Sequence, residues 1–249
     1  MSIALIGGTG LAHLDGLELT RSHAVDTPFG APSMAIEEGE YGGKSLFFLH
    51  RHGGDGGRPI PPHLVNYRGN IWALRELGVT RIVAANAVGA INPGMRPGRL
   101  VIPDQLIDYS WGREHSFDDG SSGELMHIEF AEPFDRDLRA QLLAAAAEAK
   151  VPCDDSATIA VTQGPRLETA AEVRRLAADG CDLVGMTTMP EASLARELGV
   201  AYASICMIVN VAAGLDDRPI SMDMIRTILG QETGLLGTLL RGFLSAAQN

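Results

Sequence analysis

The chain has 249 residues, 45% of them hydrophobic, 20% charged and 5% aromatic, with a formal net charge of −11. That length accommodates one α/β domain with a full core. The charge argues against a nucleic-acid surface, which needs clustered Lys and Arg to displace counterions, but it leaves small anions open, because a local basic pocket outweighs a remote net charge. Cys153, Cys181 and Cys206 show neither CxxC nor Cys/His spacing. They predict no zinc site and no disulfide framework, and they suit a reducing cytoplasm.

The N-terminus is apolar without a basic leader, so Ile3–Ile6 reads as a first strand, not a signal peptide. It runs into Gly7-Gly8-Thr9-Gly10, where a dinucleotide fingerprint would require a glycine at the position of His13. The turn reads either as close packing or as an anion cradle of backbone N–H groups and the Thr9 hydroxyl. Met34–Tyr41 and Lys44–Leu49 follow as strands joined by a hairpin at Gly42-Gly43, which makes the sheet mixed. A P-loop at Gly42-Gly43-Lys44-Ser45 is excluded because Glu38 stands where its first glycine belongs. Next comes His50-Arg51-His52, with Arg51 expected to face away from both histidines and to offer a planar fork to two phosphate oxygens. The Gly- and Pro-rich loop 53–62 reads equally as an active-site cover or a surface excursion.

Helix Val65–Leu77 and strand Arg81–Asn86 lead to the small-residue segment Asn86-Ala87-Val88-Gly89-Ala90, read as a strand-end turn where backbone can approach a ligand. A strand at Leu100–Pro103 and a long irregular stretch from Trp111 to His127 precede helix Asp135–Ala149, which has an acidic first turn and many alanines. Strand Ala157–Val161 then leads through Thr162–Thr169 into helix Ala170–Asp179, with Thr169 as its cap and Glu168 at its mouth. Strand Leu183–Met186 turns into a helix at Pro190–Glu197. Strand Ala201–Val209 and a C-terminal helix, Met222–Ala247, complete the chain. Gly199–Leu215, the longest nearly uncharged run, is too short to span a membrane. The alternation predicts a single α/β domain over residues 1–249: a twisted mixed sheet, partly closed as a barrel, flanked by helices.

Eight segments in order give a further reading: GGTG at 7–10, TPFG at 27–30, RHG at 51–53, VNYRGNIWAL at 65–74, NAVGA at 86–90, QGPRLET at 163–169, GMTTMPEASLA at 185–195 and YASICMIVN at 202–210. Together they resemble the trimeric purine nucleoside phosphorylase and methylthioadenosine phosphorylase family over essentially the whole chain. The resemblance implies a phosphate site at Thr9, Arg51, His52, Ala87 and Thr187. It implies a nucleoside site including Met186, Val88, Gly89, Leu167, Glu168, Asn210 and Ala212, with Asn210, Glu168 and His52 closest to the chemistry. His127, by default a surface or core histidine, resembles the residue that reaches a neighbouring subunit's sugar pocket.

Relatives selective for 6-aminopurines carry Ser in place of Glu168 and a pair of aspartates in place of Asn210 and Ala212, so this chain resembles those that take 6-oxopurines. The chemistry agrees. A carboxylate at Glu168 accepts from the N1–H of hypoxanthine and meets only a lone pair on adenine, while Asn210 donates to O6 and accepts from N7–H. The plainer readings are a helix-mouth carboxylate and a strand-end turn residue. Ordinary 6-oxopurine relatives bind the ribose 5′-hydroxyl with a histidine after the Asn-bearing strand, and this chain has no histidine after His127. Met222 and Ile225 lie where alkylthio-binding relatives place apolar residues, which suit a 5′-methylthio group, with a core position in the last helix as the alternative for Met222. The implied substrate is 5′-methylthioinosine, with methylthioadenosine, a general 6-oxopurine nucleoside, or a non-catalytic nucleotide sensor as rivals. No cofactor is expected, inorganic phosphate being a co-substrate. The expected partners are small molecules and further copies of the chain, as a homotrimer or a dimer of trimers, with neither nucleic acid nor membrane involved.

Overall fold

The computed structural model describes residues 2–8, 14–54, 58–121, 123, 125–217 and 219–246. In chain order the strands are β1 (Ile3–Gly7), β2 (Leu17–His23), β3 (Ile36–Tyr41), β4 (Lys44–His50), β5 (Arg81–Ala90), β6 (Leu100–Val101), β7 (Gln105–Asp108), β8 (Cys153–Asp154), β9 (Thr158–Val161), β10 (Leu183–Gly185) and β11 (Ala201–Val211). The helices are α1 (Tyr67–Glu76), α2 (Arg136–Glu148), α3 (Ala170–Ala178), α4 (Thr188–Glu197) and α5 (Met222–Ala246). All eleven of these strands belong to one mixed sheet, in the order β2-β3-β4-β1-β5-β10-β9-β7, with β11, β6 and β8 branching from β5.

The central strands are apolar on both faces, as strands covered by helices on both sides must be. Side chains alternate between two cores. Ala4, Ile6, Ile82 and Ile208 pack with Ile71 of α1 and Leu194 of α4, while Leu5, Val83, Ile205 and Met207 pack with Leu142 of α2 and Phe243 of α5. Each fully buried Leu, Ile or Phe contributes about 1.5–3 kcal/mol, so this two-sided burial is the main force holding the sheet between its helices. The predicted helices all form, with ends no more than two residues from those expected; Ala247, the expected end of the last helix, lies outside the described residues. Thr169 caps α3 in a reciprocal capping box with Glu172. The segment of α4 begins at Thr188 with an extended Met189 (φ −106°, ψ 138°), so regular helix starts at Pro190 as expected.

Three strands escaped the sequence reading. β2 is an edge strand whose residues are all half-buried or exposed, β7 is only partly buried, and β8 is two residues long. None presents an apolar face long enough to announce a strand. The structure also corrects the reading of Asn86–Ala90 as a turn, because these residues continue β5. β11 stays paired to β5 as far as Ala90, through a bulge that shifts Asn210 into register with Gly89.

The other edge of β5 decides where the site lies. β1 runs parallel to β5 only as far as Ala84, and β10 joins the same edge antiparallel from Gly89. Between those points the edge is open. The ends of β1 and β4 reach the gap from one side, and the ends of β9 and β10 from the other. This is a split in strand order of the kind where α/β sheets bind ligands.

Candidate active site

A cavity of about 540 Å³ occupies this split, a size suited to a small organic ligand. It gathers most of the predicted site residues. Gly8, Arg51, His52, Ala87 and Thr187 line it, as do Val88, Gly89 and Met186, and Leu167, Glu168, Asn210 and Ala212. Met222, Ile225 and Leu229 of α5 and Met207 and Val209 of β11 line it too. Thr9 lies outside the described residues. His127 is exposed and does not line the cavity of its own chain. A second cleft, about 840 Å³, lies beyond Asn210 and Ile220, which line both.

Arg51 departs from expectation. β4 ends at His50, so strand alternation no longer applies to Arg51 and His52, and both line the cavity. Nor is the whole guanidinium fork available to a ligand. Nε donates to Glu191 Oε1 at 2.5 Å, Nη2 to Glu191 Oε2 at 3.0 Å and Nη1 to the Ala85 carbonyl at 3.1 Å. Arg51 is 1% exposed and Glu191 fully buried, and an unpaired buried charge would cost several kcal/mol. Burial alone would lower the affinity of Arg51 for its proton, but Glu191 outweighs it and the net shift is upward. Of five N–H groups, three are spent on described residues, leaving one on each terminal nitrogen for an anion. Tyr202 donates to Glu191 Oε2 at 2.8 Å and completes the network.

In sequence Glu191 shows only as a carboxylate among Pro190, Ala192 and Leu194; in the structure Thr188–Ala195 are all buried.

His52 is held by the loop that precedes α1. Its Nδ1 lies 2.9 Å from the Ile60 carbonyl, which can only accept, so Nδ1 carries the hydrogen. Burial, and then the Arg51 charge, hold the imidazole below its ordinary proton affinity. The ring is therefore neutral with Nε2 as an acceptor. The Ile60 amide returns a bond to the His52 carbonyl, and Pro59 and Pro62 line the cavity. The described part of loop 53–62 thus borders the cavity through Pro59 and Pro62.

Thr187 donates its hydroxyl to Asn86 Oδ1 at 2.8 Å, and Asn86 Nδ2 donates to Ser204 at 2.7 Å. With its hydrogen spent, the Thr187 oxygen is an acceptor in this arrangement. Arg113 is buried among carbonyls, donating to those of Met186 and Met189 on one side and Thr162 and Gln163 on the other. It staples together the two loops that carry Met186 and Glu168.

Asn210 Nδ2 donates to the Val211 carbonyl at 2.8 Å, which fixes the amide orientation and leaves one N–H and the Oδ1 free among the described residues. A Cβ on Gly89 would come within 3.1 Å of that nitrogen, so the glycine makes room for the amide. Glu168 Oε1 accepts from Thr162 at 2.6 Å. The plainer reading of Glu168, a carboxylate serving the helix mouth, is not needed, because Thr169 and Glu172 already cap α3. Met222 is 60% exposed, which removes its alternative reading as a core residue of α5. Among the described residues no cluster of His, Cys, Asp or Glu could hold a metal ion.

Fold and site together define an α/β enzyme whose cavity sets Arg51 and His52 beside the hydrogen-bonding groups of Glu168 and Asn210. The chain belongs to the phosphorylase superfamily, whose family model matches residues 2–245. It is similar to the probable S-methyl-5′-thioinosine phosphorylase of Pseudomonas syringae pv. tomato, 47% identical over 244 residues that cover 98% of each chain. It is also similar to the 6-oxopurine nucleoside phosphorylase of Pyrococcus furiosus, 43% identical over 88% of this chain and 83% of the relative. Among solved structures it matches methylthioadenosine phosphorylase from Schistosoma mansoni in complex with adenine, with a TM-score of 0.92 at 31% identity, over 100% of this chain and 93% of the other.

Proposed function

We propose that this enzyme cleaves a 6-oxopurine nucleoside with inorganic phosphate, and that its substrate is S-methyl-5′-thioinosine, giving hypoxanthine and 5-methylthioribose 1-phosphate. The observation that carries this reading is one cavity lined both by Glu168 and Asn210 and by Met207, Met222, Ile225 and Leu229. The first pair matches a base with an N1–H and an O6, and the second group matches a thioether better than a hydroxyl. Relatives named for methylthioinosine and for 6-oxopurine nucleosides support the same base.

Phosphate sits at the Arg51 end. The two uncommitted N–H groups of Arg51 donate to it, and neutral His52 accepts the one hydrogen of a hydrogen phosphate ion. The sugar lies against Met186. As the glycosidic bond loosens, the sugar takes on oxocarbenium character, stabilised by the anion that then attacks its anomeric carbon from the opposite face. Asn210 accepts from N7–H as the departing base gains a proton from solvent. The reaction uses phosphate as co-substrate and needs neither metal nor organic cofactor.

The assembly we favour is a homotrimer in which His127 enters a neighbour's sugar pocket. Leu125 and Met126, 79% and 52% exposed beside His127, support a packed surface there. A cytoplasmic location fits this chemistry, and no helix among the described residues is long and apolar enough to cross a membrane. The deciding experiment is a phosphorolysis panel of methylthioinosine, methylthioadenosine, inosine, guanosine and adenosine, with and without phosphate. Methylthioinosine should have the highest kcat/KM. Preference for methylthioadenosine would overturn the base assignment, and preference for inosine the sugar assignment. Absence of phosphate-dependent base release would overturn the reaction.

A further inference from the structure

We propose that Thr162 is a positioning residue for base recognition: its hydroxyl commits one oxygen of Glu168 and holds the carboxylate so that the other serves as the purine acceptor. Thr162 is the first residue after β9, and its own amide donates to the Gly185 carbonyl at 2.9 Å. Its hydroxyl lies 2.6 Å from Glu168 Oε1 and 3.3 Å from the Gly185 carbonyl. A hydroxyl has one hydrogen, and the nearer, charged acceptor takes it. β-Branching restricts the Thr162 rotamer, so the donor is pre-aimed. The residues around Glu168 are otherwise engaged: Thr169 and Glu172 cap α3, and Arg166 pairs with Glu172 at 2.7 Å.

Fixing the carboxylate also fixes selectivity. A swinging Glu168 could turn away from the lone pair of a 6-aminopurine and lose little. A tethered one keeps an acceptor facing N1, which rewards an N–H there and penalises its absence. The staple at Arg113 holds the Thr162 carbonyl to that of Met186, so the tether is itself anchored to the sugar side of the cavity.

This inference rests on the reading of Glu168 as the base acceptor, and the test separates the two. Thr162→Val removes the hydroxyl at nearly constant shape, Thr162→Ser keeps it, and Glu168→Gln tests the carboxylate itself. Each is assayed in the full chain with methylthioinosine and methylthioadenosine plus inorganic phosphate. Thr162→Val should lower kcat/KM for methylthioinosine about tenfold, the scale of one hydrogen bond to a charged group. The methylthioadenosine value should hold or rise, and Thr162→Ser should keep the parent ratio. If Glu168→Gln shifts the ratio but Thr162→Val lowers both substrates equally or leaves both unchanged, the role of Thr162 is overturned and that of Glu168 stands. A ratio unmoved by Glu168→Gln overturns the reading of Glu168 and this inference with it. Should the valine variant not fold, Thr162→Ala carries the same comparison.

Discussion

Arg51 and Glu191, 140 residues apart in sequence, form a buried bidentate ion pair at 2.5 and 3.0 Å. The pair takes one edge of the guanidinium, so a residue outside the cavity lining decides which donors Arg51 has left for the proposed phosphate. Glu191→Gln leaves a buried cation half compensated and should lower stability by about 3–5 kcal/mol. Denaturant unfolding checks this. The KM for phosphate should rise with it, because a loosened Arg51 no longer presents its two remaining donors together. Tyr202→Phe removes one bond to Glu191 and should cost about 1–3 kcal/mol, the range for a hydrogen bond to a charged group. Equal stability of all three proteins would show that the pair does not hold the site.

Asn210 and Gly89 face each other across the bulge in β11. Asn210→Asp replaces the amide donor with an acceptor and should move preference from inosine-type toward adenosine-type substrates, by about tenfold or more in the ratio of kcat/KM. Gly89→Ala places a methyl group 3.1 Å from Asn210 Nδ2 and 3.3 Å from Val184 Cγ1. The amide must shift, and kcat/KM should fall for every purine nucleoside. An unchanged substrate ratio in the first variant would sink the base-reading role of Asn210.

Met222 is exposed in the single chain and lines the cavity beside Ile225. A methylthio group buried against it gains roughly 0.8 kcal/mol per methylene-sized unit. Met222→Ser should therefore lower kcat/KM for methylthioinosine by about tenfold relative to inosine, which has a hydroxyl at the same place. Equal losses for the two substrates would assign the 5′ pocket elsewhere.

Glu232 on α5 is fully buried; its Oε1 accepts from the Gly98 amide at 2.7 Å, and its Oε2 has no hydrogen-bond partner among the described residues. Burial pushes its carboxyl from 4.5 up to about 8. Because the folded value is the higher one, its stabilising contribution is complete below about pH 4.5 and is lost as pH rises through about 8. The loss should be on the order of 5 kcal/mol across that window. Glu232→Gln should flatten the profile. Parallel stability–pH curves for the two proteins between about pH 5 and about pH 9 would contradict the assignment.

The sequence by itself determined the helices and central strands, because two-sided burial writes a continuous apolar run into β1, β5 and β11 and a capped amphipathic pattern into α3. Its eight family-like segments also pointed to most cavity residues, among them Arg51, His52, Glu168, Thr187 and Asn210, through the resemblance they carry. It could not show β2, a polar edge strand with no buried face, nor that Asn86–Ala90 stays in the sheet, which depends on a partner strand over a hundred residues away. The tertiary structure alone decided how the site residues are aimed. Glu191 takes one edge of Arg51, Ile60 sets the tautomer of His52, Asn86 takes the hydrogen of Thr187, and Thr162 turns Glu168. Each is a hydrogen bond between distant segments, and orientation of that kind leaves no periodic trace in a sequence.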